Sequence, residues 1–363
     1  MQREALERLP WADALRGCPQ SPVHHAEGDV WTHVQMVVDE LVASQGFRDL
    51  PAAHRQVLYW AAWMHDLAKP QCTRHEPEGI TARGHARRGA IAARRWLWEN
   101  GFDPLVREQI CGLIRHHMVP FWLIEREDAS HRLLAVAEET RCDWLAMLAQ
   151  ADARGRLCQD RQKLLDNIAL FEELAREWGV WDQPFPFESP AARVTFFRRG
   201  GDPRRQAYFR PRCHVWLLSG LPAAGKDHWR ARRARGLPQV SLDELRDRLG
   251  ISPRVHQQQV VQAARARARE LLRRGDSFVW NATHLSRELR QRSLELLFDY
   301  EAEVSIQYLE APAEELHRRN QARAAPVPAG ALQRMLERWE IPLASEAHEV
   351  VYCWGSAGDE VGS

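Results

Sequence analysis

Apolar and polar positions change rhythm once along this chain. From about residue 30 to residue 178, apolar residues recur at three- and four-residue spacing, the pattern of one-sided helices. In DVWTHVQMVVDEL, Val30, His33, Val34, Val37 and Leu41 share a face, and in VLYWAAWMHDLA so do Leu58, Ala61 and His65. In PLVREQICGLIRHHM the inward stripe is Val106, Ile110, Leu113 and His117, which leaves His116 about 100° away. In DWLAMLAQADARGR, Leu145 and Leu148 lead to Asp152. Past residue 211 the pattern becomes short apolar runs between amphipathic helices. CHVWLLS, PQVS, DSFVWN and AEVSIQYL read as strands, and the alternation predicts a parallel α/β sheet. Between the halves, WDQPFPFESPAARVTFFRRGGDPRRQAYFRPR is rich in Pro, Gly and Arg and reads as a linker holding one short helix. The expected organisation is an all-α domain over 1–180, a linker over 181–211 and an α/β domain over 212–363. RARARELLRR reads as a solvated helix face.

Composition narrows the classes. A chain of 363 residues, 45% hydrophobic and 27% charged, is long enough for two cored domains. It holds no apolar run of about 18 residues, and its polar N-terminus is unlike a signal peptide, so a cytoplasmic protein with no membrane partner is expected. Seven scattered cysteines without a C-x-x-C pair argue against a disulfide framework or a cysteine zinc site. Charge balances in both halves, 28 basic against 29 acidic before residue 211 and 22 against 20 after it, so phosphate binding must come from local patches. Of the 50 basic residues only Lys69, Lys163 and Lys226 are lysine. Two of the three fall in the stretches MHDLAKP and SGLPAAGKD.

The helical stripes put His33, His65, His117 and Asp152 on buried faces. Desolvating a lone carboxylate costs several kcal/mol, which a metal offsets, and His/Asp ligation suits a hydrolytic transition-metal site. His85, opening a helix in RGHARRGA, adds a ligand for a second ion. In order, His33, His65-Asp66, His85, His117 and Asp152 resemble the H…HD…H…H…D pattern of the HD phosphohydrolase superfamily over residues 20–160. HHAEGDVWTH, HDLAKP, IRHHM and ADARGR are most similar to HD domains attached to tRNA-nucleotidyltransferase-type proteins. No nucleotidyltransferase segment precedes them in this sequence, so that enzyme is not the expectation. The resemblance implies that His33, His65, Asp66 and Asp152 hold one metal, and Asp66, His85 and His117 another. The ions expected are Mn²⁺, Ni²⁺, Co²⁺ or Zn²⁺, and bound metal acidifies water enough for it to attack phosphorus near neutral pH. Lys69 either meets a substrate phosphate or is a helix-end surface charge.

VWLLSGLPAAGK is an apolar strand, a Gly220-x4-Gly225-Lys226 loop and a helix start, the P-loop arrangement whose N–H groups and lysine cradle the phosphates of ATP or another NTP with Mg²⁺. It departs from G-x4-G-K-[ST] at Asp227, which stands where the Mg²⁺-binding hydroxyl belongs. Either this carboxylate ligates the metal or Mg²⁺ is held elsewhere. A second departure is WNATH at 280–284, where many P-loop kinases carry an aspartate after the strand.

The next strand runs into VSLDELRDRLG. Ser241 and Glu244 make a capping box and Asp243 suits a helix N-terminus. After a P-loop, Asp243 also lies where a general base would take a hydroxyl proton, with Arg246 one turn on to grip a neighbouring phosphate. HRRNQARAAPVPAGALQRMLERWEIP reads as a helical lid, with Arg319 and Arg323 before Val327-Pro328 and able to close over the transferring phosphoryl group. Asp-x-x-Arg with Arg-Asn-x-x-Arg…Val-Pro resembles the 5′-kinase module of polynucleotide kinases. An HD domain ahead of it is similar to the bacterial HD-Pnk end-healing enzymes over nearly the whole chain.

That resemblance implies two reactions on RNA or DNA ends: phosphorylation of 5′-OH ends, and metal-dependent removal of 2′,3′-cyclic and terminal 2′/3′ phosphates, ahead of a nucleic-acid ligase. Two other readings stay open. One is a small-molecule P-loop kinase fused to a nucleotide-hydrolysing HD domain, and Arg246 discriminates, because a phosphate flanking the hydroxyl exists in a polynucleotide and is absent from most simple sugar acceptors. The other is a nucleotide-sensing regulator with one inactive module.

Overall fold

The computed structural model describes residues 3–251, 257–355 and 360–361. The chain divides into two compact units, Met1–Phe185 and Pro186–Ser363.

The first unit is built on six longer helices: α1 (Val30–Ala43), α2 (Ala52–Met64), α3 (His85–Glu99), α4 (Pro104–His116), α5 (Cys142–Arg154) and α6 (Arg161–Glu177). Asp29 caps α1 by accepting from the Thr32 N–H at 2.8 Å, and Asp103 caps α4 ahead of a proline at its first position. The apolar stripes bury as the spacing requires: Val30, Val34, Val37 and Leu41 on α1, Leu58 and Ala61 on α2, Ile110 and Leu113 on α4, Leu145 and Leu148 on α5. In space α1 packs on α2 and α5, α2 on α4, and α4 on α3. Gly155, just past α5, permits one of these approaches. A Cβ there would stand 2.8 Å from the Val37 nitrogen of α1, so only glycine lets the end of α5 bring Asp152 against His33. The unit is not wholly helical as expected. RHEPEGIT, between α2 and α3, forms an antiparallel hairpin of β1 (Arg74–Glu76) and β2 (Gly79–Thr81).

In the second unit β3 (Cys213–Ser219), β4 (Gln239–Ser241), β5 (Phe278–Asn281), β6 (Ala302–Glu310) and β7 (Glu349–Trp354) form a parallel sheet in the order β4-β5-β3-β6-β7. The two-residue β8 (Glu360–Val361) pairs antiparallel on β7. Four of the parallel strands are those read from the pattern, whereas β7 had not been. The helices are α7 (Lys226–Arg233), α8 (Leu242–Leu249), α9 (Gln257–Arg274), α10 (Arg287–Asp299), α11 (Ala313–Gln321) and α12 (Ala329–Leu336). Val215, Leu217, Phe278, Trp280, Val304 and Ile306 fill the core, with Ala264, Ala268, Leu271 and Leu272 of α9 packed on them. The RARARELLRR stretch thus buries Ala268, Leu271 and Leu272, while Ala266, Arg273 and Arg274 are exposed and its other arginines half-buried. Much of the expected linker belongs to this unit: residues 186–211 lie past the unit boundary and include a helix at Pro190–Arg199, capped by Ser189.

Two candidate active sites

Five chain segments converge in the first unit. His33 comes from mid-α1, His65 and Asp66 from the end of α2, His85 from the first position of α3, His117 from the end of α4 and Asp152 from α5. All six sequence-selected residues meet there, and all but His85 are buried. Asp66 is central, with its Oδ2 3.3 Å from His65 Nε2 and 3.7 Å from His33 Nε2. Its Oδ1 lies 3.3 Å from His85 Nε2 and 3.8 Å from His117 Nε2. Asp152 Oδ1 is 3.1 Å from His33 Nε2. His33, His65 and Asp66 form one group of donors close enough to hold a cation, and Asp66, His85 and His117 form another. His116, the neighbour set aside by periodicity, is buried too but turns to Glu139 at 3.1 Å.

The imidazoles make the case for metal. His65, His85 and His117 each place Nδ1 2.8 Å from the carbonyl oxygen three residues earlier, on Ala62, Ala82 and Ile114. A carbonyl only accepts, so each Nδ1 carries a proton and each neutral ring presents its Nε2 lone pair to Asp66. His85 Nε2 and His117 Nε2 are then two acceptors 3.1 Å apart. Protonating either ring would relieve the clash. Burial opposes it, pulling the His117 pKa down to about 3 with help from neighbouring His85 and His65, and lowering that of His85. A cation between the rings satisfies both lone pairs. His33 Nε2, His65 Nε2 and both Asp66 oxygens are likewise buried without a hydrogen bond of good geometry. The donor set fits one or two divalent ions.

The carboxylates behave differently from expectation. They are not lone charges demanding a cation. Asp66 meets the Lys69 ammonium at 2.8 Å, and Arg156 grips Asp152 through two bonds of 2.8 Å. Burial alone would raise both carboxyls, but Lys69 and His65 outweigh it at Asp66, and Arg156 and His33 at Asp152, holding both well below the usual range. Burial would lower the His65 pKa, yet the Asp66 carboxylate beside it raises it. Lys69 is therefore neither a surface charge nor an unengaged phosphate ligand: it is buried, tied to Asp66 and to Gln20 Oε1 at 2.5 Å.

Glu27 and Arg156 were missed by sequence reasoning. Glu27 Oε1 lies 2.9 Å from His33 Nδ1 and 2.8 Å from His25 Nδ1, and its Oε2 accepts from the Leu157 N–H. It stands beside His33 Nδ1, on the side of the ring away from Asp66 and Asp152. The available signal was its position in HHAEGDVWTH, six residues before His33. Glu27→Gln should weaken metal affinity by about 10–100-fold, the usual worth of such an outer partner, as metal-loading titration would show. A cavity of about 470 Å³ opens onto the site, lined by Gln20, Lys69, Arg83, His85, Trp122 and Arg156 among others.

The second candidate site lies in the other unit, at the carboxyl ends of its strands. The loop after β3 takes positive φ at Gly220 (146°), Ala223 (66°) and Gly225 (109°) before α7 starts at Lys226. A Cβ on Gly220 would stand 2.2 Å from the Leu309 carbonyl oxygen, so glycine is obligatory where the loop passes the end of β6. Lys226 Nζ donates to the Gly220 and Leu221 carbonyls at 2.9 and 2.8 Å, and burial brings its pKa down to about 8. Asp227, Asp243 and Arg323 are close enough to act electrostatically on that lysine. Arg319 reaches the loop beside Gly225 and bonds Glu315 on its own helix at 2.6 Å.

Other groups fix the surroundings of this loop. Ser241 caps α8 by accepting from the Glu244 N–H, while the Glu244 carboxylate accepts from Gln239 instead of closing a capping box, and Asp243 and Arg246 face each other one turn apart as an ion pair. Asn320 closes the lid loop by bonding both the N–H and the carbonyl of Val327, at 3.0 and 2.9 Å. Asn281, at the end of β5, donates to Asp227 Oδ1 at 2.8 Å. His284 binds the Leu218 carbonyl through Nδ1 at 2.9 Å, a structural tie between the β5 loop and β3.

Comparison with known proteins assigns the folds of both units. Residues 31–152 match the HD domain family, and residues 215–342 match a family described as an AAA domain. Among curated proteins, a Multifunctional CCA protein of Halorhodospira halophila is 39% identical over 88 residues, 22% of this chain and 19% of that protein. A CC-adding tRNA nucleotidyltransferase of Thermus thermophilus is 36% identical over 112 residues, 30% of this chain and 24% of that protein. A Bifunctional uridylyltransferase/uridylyl-removing enzyme of Rhodopseudomonas palustris is 33% identical over 120 residues, 31% of this chain and 12% of that protein. The chain spans a quarter or less of the length of these relatives. It carries an HD domain ahead of an AAA-family domain built around a P-loop. Among the described residues, no helix is long and apolar enough to cross a membrane.

Proposed function

We propose that the chain heals broken nucleic-acid ends, as its resemblance to the HD-Pnk enzymes implies. The P-loop domain phosphorylates 5′-OH ends and the HD domain removes 2′,3′-cyclic and terminal 2′/3′ phosphates, leaving RNA or DNA ends that a ligase joins. The observation that carries this reading is Asp243, which acts electrostatically on Lys226 and is ion-paired with Arg246 one turn on. A carboxylate beside a phosphate-binding lysine can take a proton from an acceptor hydroxyl, and a guanidinium one turn away can bind the phosphate that follows that hydroxyl in a polynucleotide.

In the kinase reaction Lys226 and the loop N–H groups hold the phosphates of the NTP. Asp243 accepts the proton of the 5′-OH as the γ-phosphoryl group passes to that oxygen and a nucleoside diphosphate leaves. Arg319 and Arg323 neutralise charge on the transferring group. In the HD reaction His33, His65, Asp66 and Asp152, with His85 and His117, would hold divalent metal, which supplies Lewis acidity and an acidified water when bound. Lys69 and Arg156, at the cavity wall, neutralise the substrate phosphate, and Glu27 keeps His33 in its ligating tautomer.

The test is to incubate the purified protein with a 5′-OH oligonucleotide ending in a 2′,3′-cyclic phosphate, with ATP and a series of divalent metals. Product mass should rise by one phosphate at the 5′ end, and the cyclic end should open and be lost. Because imidazoles dominate the HD donors, Mn²⁺, Ni²⁺ or Co²⁺ should restore phosphate removal to metal-stripped protein better than Mg²⁺ does. Full activity with Mg²⁺ alone would contradict that ligand assignment.

A further inference from the structure

The two places where the second unit departs from the usual P-loop pattern touch each other. In P-loop enzymes generally, Mg²⁺ is held by the hydroxyl residue after the P-loop lysine and by an aspartate on a neighbouring strand. Here the residue after Lys226 is Asp227, and the last residue of β5 is Asn281. Strand β5 lies directly beside the P-loop strand, with Asn281 in register with Leu218 at the mouth of the loop. Asn281 Nδ2 donates to Asp227 Oδ1 at 2.8 Å although the two residues are 54 positions apart.

We infer that the carboxylate of the kinase Mg²⁺ site has changed places: Asp227 holds the ion directly, and Asn281, where the strand aspartate would stand, orients it. The charge count supports the exchange. One carboxylate and one neutral polar group remain at the mouth of the loop, as in the usual arrangement, with their positions reversed. A second carboxylate at position 281 would have stood about a hydrogen-bond length from Asp227 and repelled it; an amide instead donates to Oδ1. Asp227 Oδ2 makes no hydrogen bond among the described residues, and the side chain is exposed at the start of α7. Mg²⁺ bound to a nucleotide takes one or two carboxylates plus phosphate oxygens and water, and that free oxygen meets the requirement. Without this role Asp227 would be a first-turn acid that favours the helix dipole, a role unconnected with any metal.

The inference rests on the kinase reading, and the experiment separates the two. ATP affinity is measured by calorimetry with Mg²⁺ and with EDTA, and the ratio of the two is the readout. Asp227→Asn keeps an oxygen for the Asn281 amide but loses the charge, and it should cut the Mg²⁺-dependent tightening by about tenfold or more. Asn281→Asp alone should also lower the ratio, by removing the orienting donor and crowding two carboxylates. Asp227→Ser combined with Asn281→Asp rebuilds the usual arrangement and should recover most of the ratio. Melting curves of all three variants identify any failure to fold, and the double variant then decides, since recovery needs both exchanges at once. If Asp227→Asn keeps the full Mg²⁺ dependence of the parent protein, the inference is overturned while the kinase reading stands. If the parent protein binds no ATP in either condition, the kinase reading falls and this inference with it.

Discussion

Asp66→Asn is expected to abolish removal of 2′,3′-cyclic and terminal phosphates while leaving 5′-phosphorylation intact. Asp66 is the one residue common to the His33-His65-Asp66 and Asp66-His85-His117 donor groups, so its loss touches an ion held by either. Metal at such a site is worth several kcal/mol of transition-state stabilisation, so the rate should fall by roughly 10³-fold or more. Asparagine is preferred to alanine for a physical reason. Alanine leaves the Lys69 ammonium buried without its partner, and breaking a buried pair from one side costs about 3–5 kcal/mol, enough to confuse lost folding with lost chemistry. The asparagine oxygen can still accept from Lys69. Because the kinase residues lie in the other compact unit, 5′-phosphorylation by the same preparation serves as the folding control. Equal loss of both activities in a folded variant would refute the assignment of two independent sites.

Asp243→Asn should be nearly as damaging to the other reaction. If Asp243 takes the acceptor proton, the 5′-kinase rate falls by about 10²–10⁴, the usual worth of general base catalysis. A carboxylate that only favours the start of α8 would lose about 0.3–1 kcal/mol of stability and leave the rate unchanged. Those outcomes are far enough apart for a single-turnover assay to choose between them. Arg246→Ala should act on the acceptor instead. Its defect should be larger on a substrate with a phosphate flanking the 5′-OH than on a nucleoside without one. Equal defects on both would favour the small-molecule kinase reading.

The helical spacing of residues 30–152 made most of the metal cluster legible, because a side chain that shares a stripe with buried valines and leucines must itself be inside. His33, His65, His117 and Asp152 all followed from that rule, and the structure buries each of them. Glu27 and Arg156 did not, because neither lies on a helix: one precedes α1 and the other follows α5, where no periodicity operates. The surface-charge alternative for Lys69 fails for a related reason. A lysine three residues after an aspartate usually marks a solvated helix face, and only the burial of both shows that the pair is internal. Short strands carry too few residues for alternation to register, which is why the β1–β2 hairpin escaped notice. Each P-loop departure was visible by itself, but the bond between Asp227 and Asn281 is tertiary and no local pattern encodes it.

The metal donors are drawn from positions 33 to 152, one from nearly every helix of the first unit's packed chain. An ion bound at that centre is a cross-link as well as a catalyst: it ties segments more than a hundred residues apart and has no equivalent in the unfolded chain. At a hundredfold excess over its dissociation constant it would add about 2.7 kcal/mol to the stability of the HD domain. A chelator therefore removes both the reaction and a clasp, and loss of metal exposes the domain to proteolysis and aggregation in proportion to how tightly the ion was held. In a cell the free concentration of the right divalent ion would then set how much of this domain is present, besides how fast it turns over.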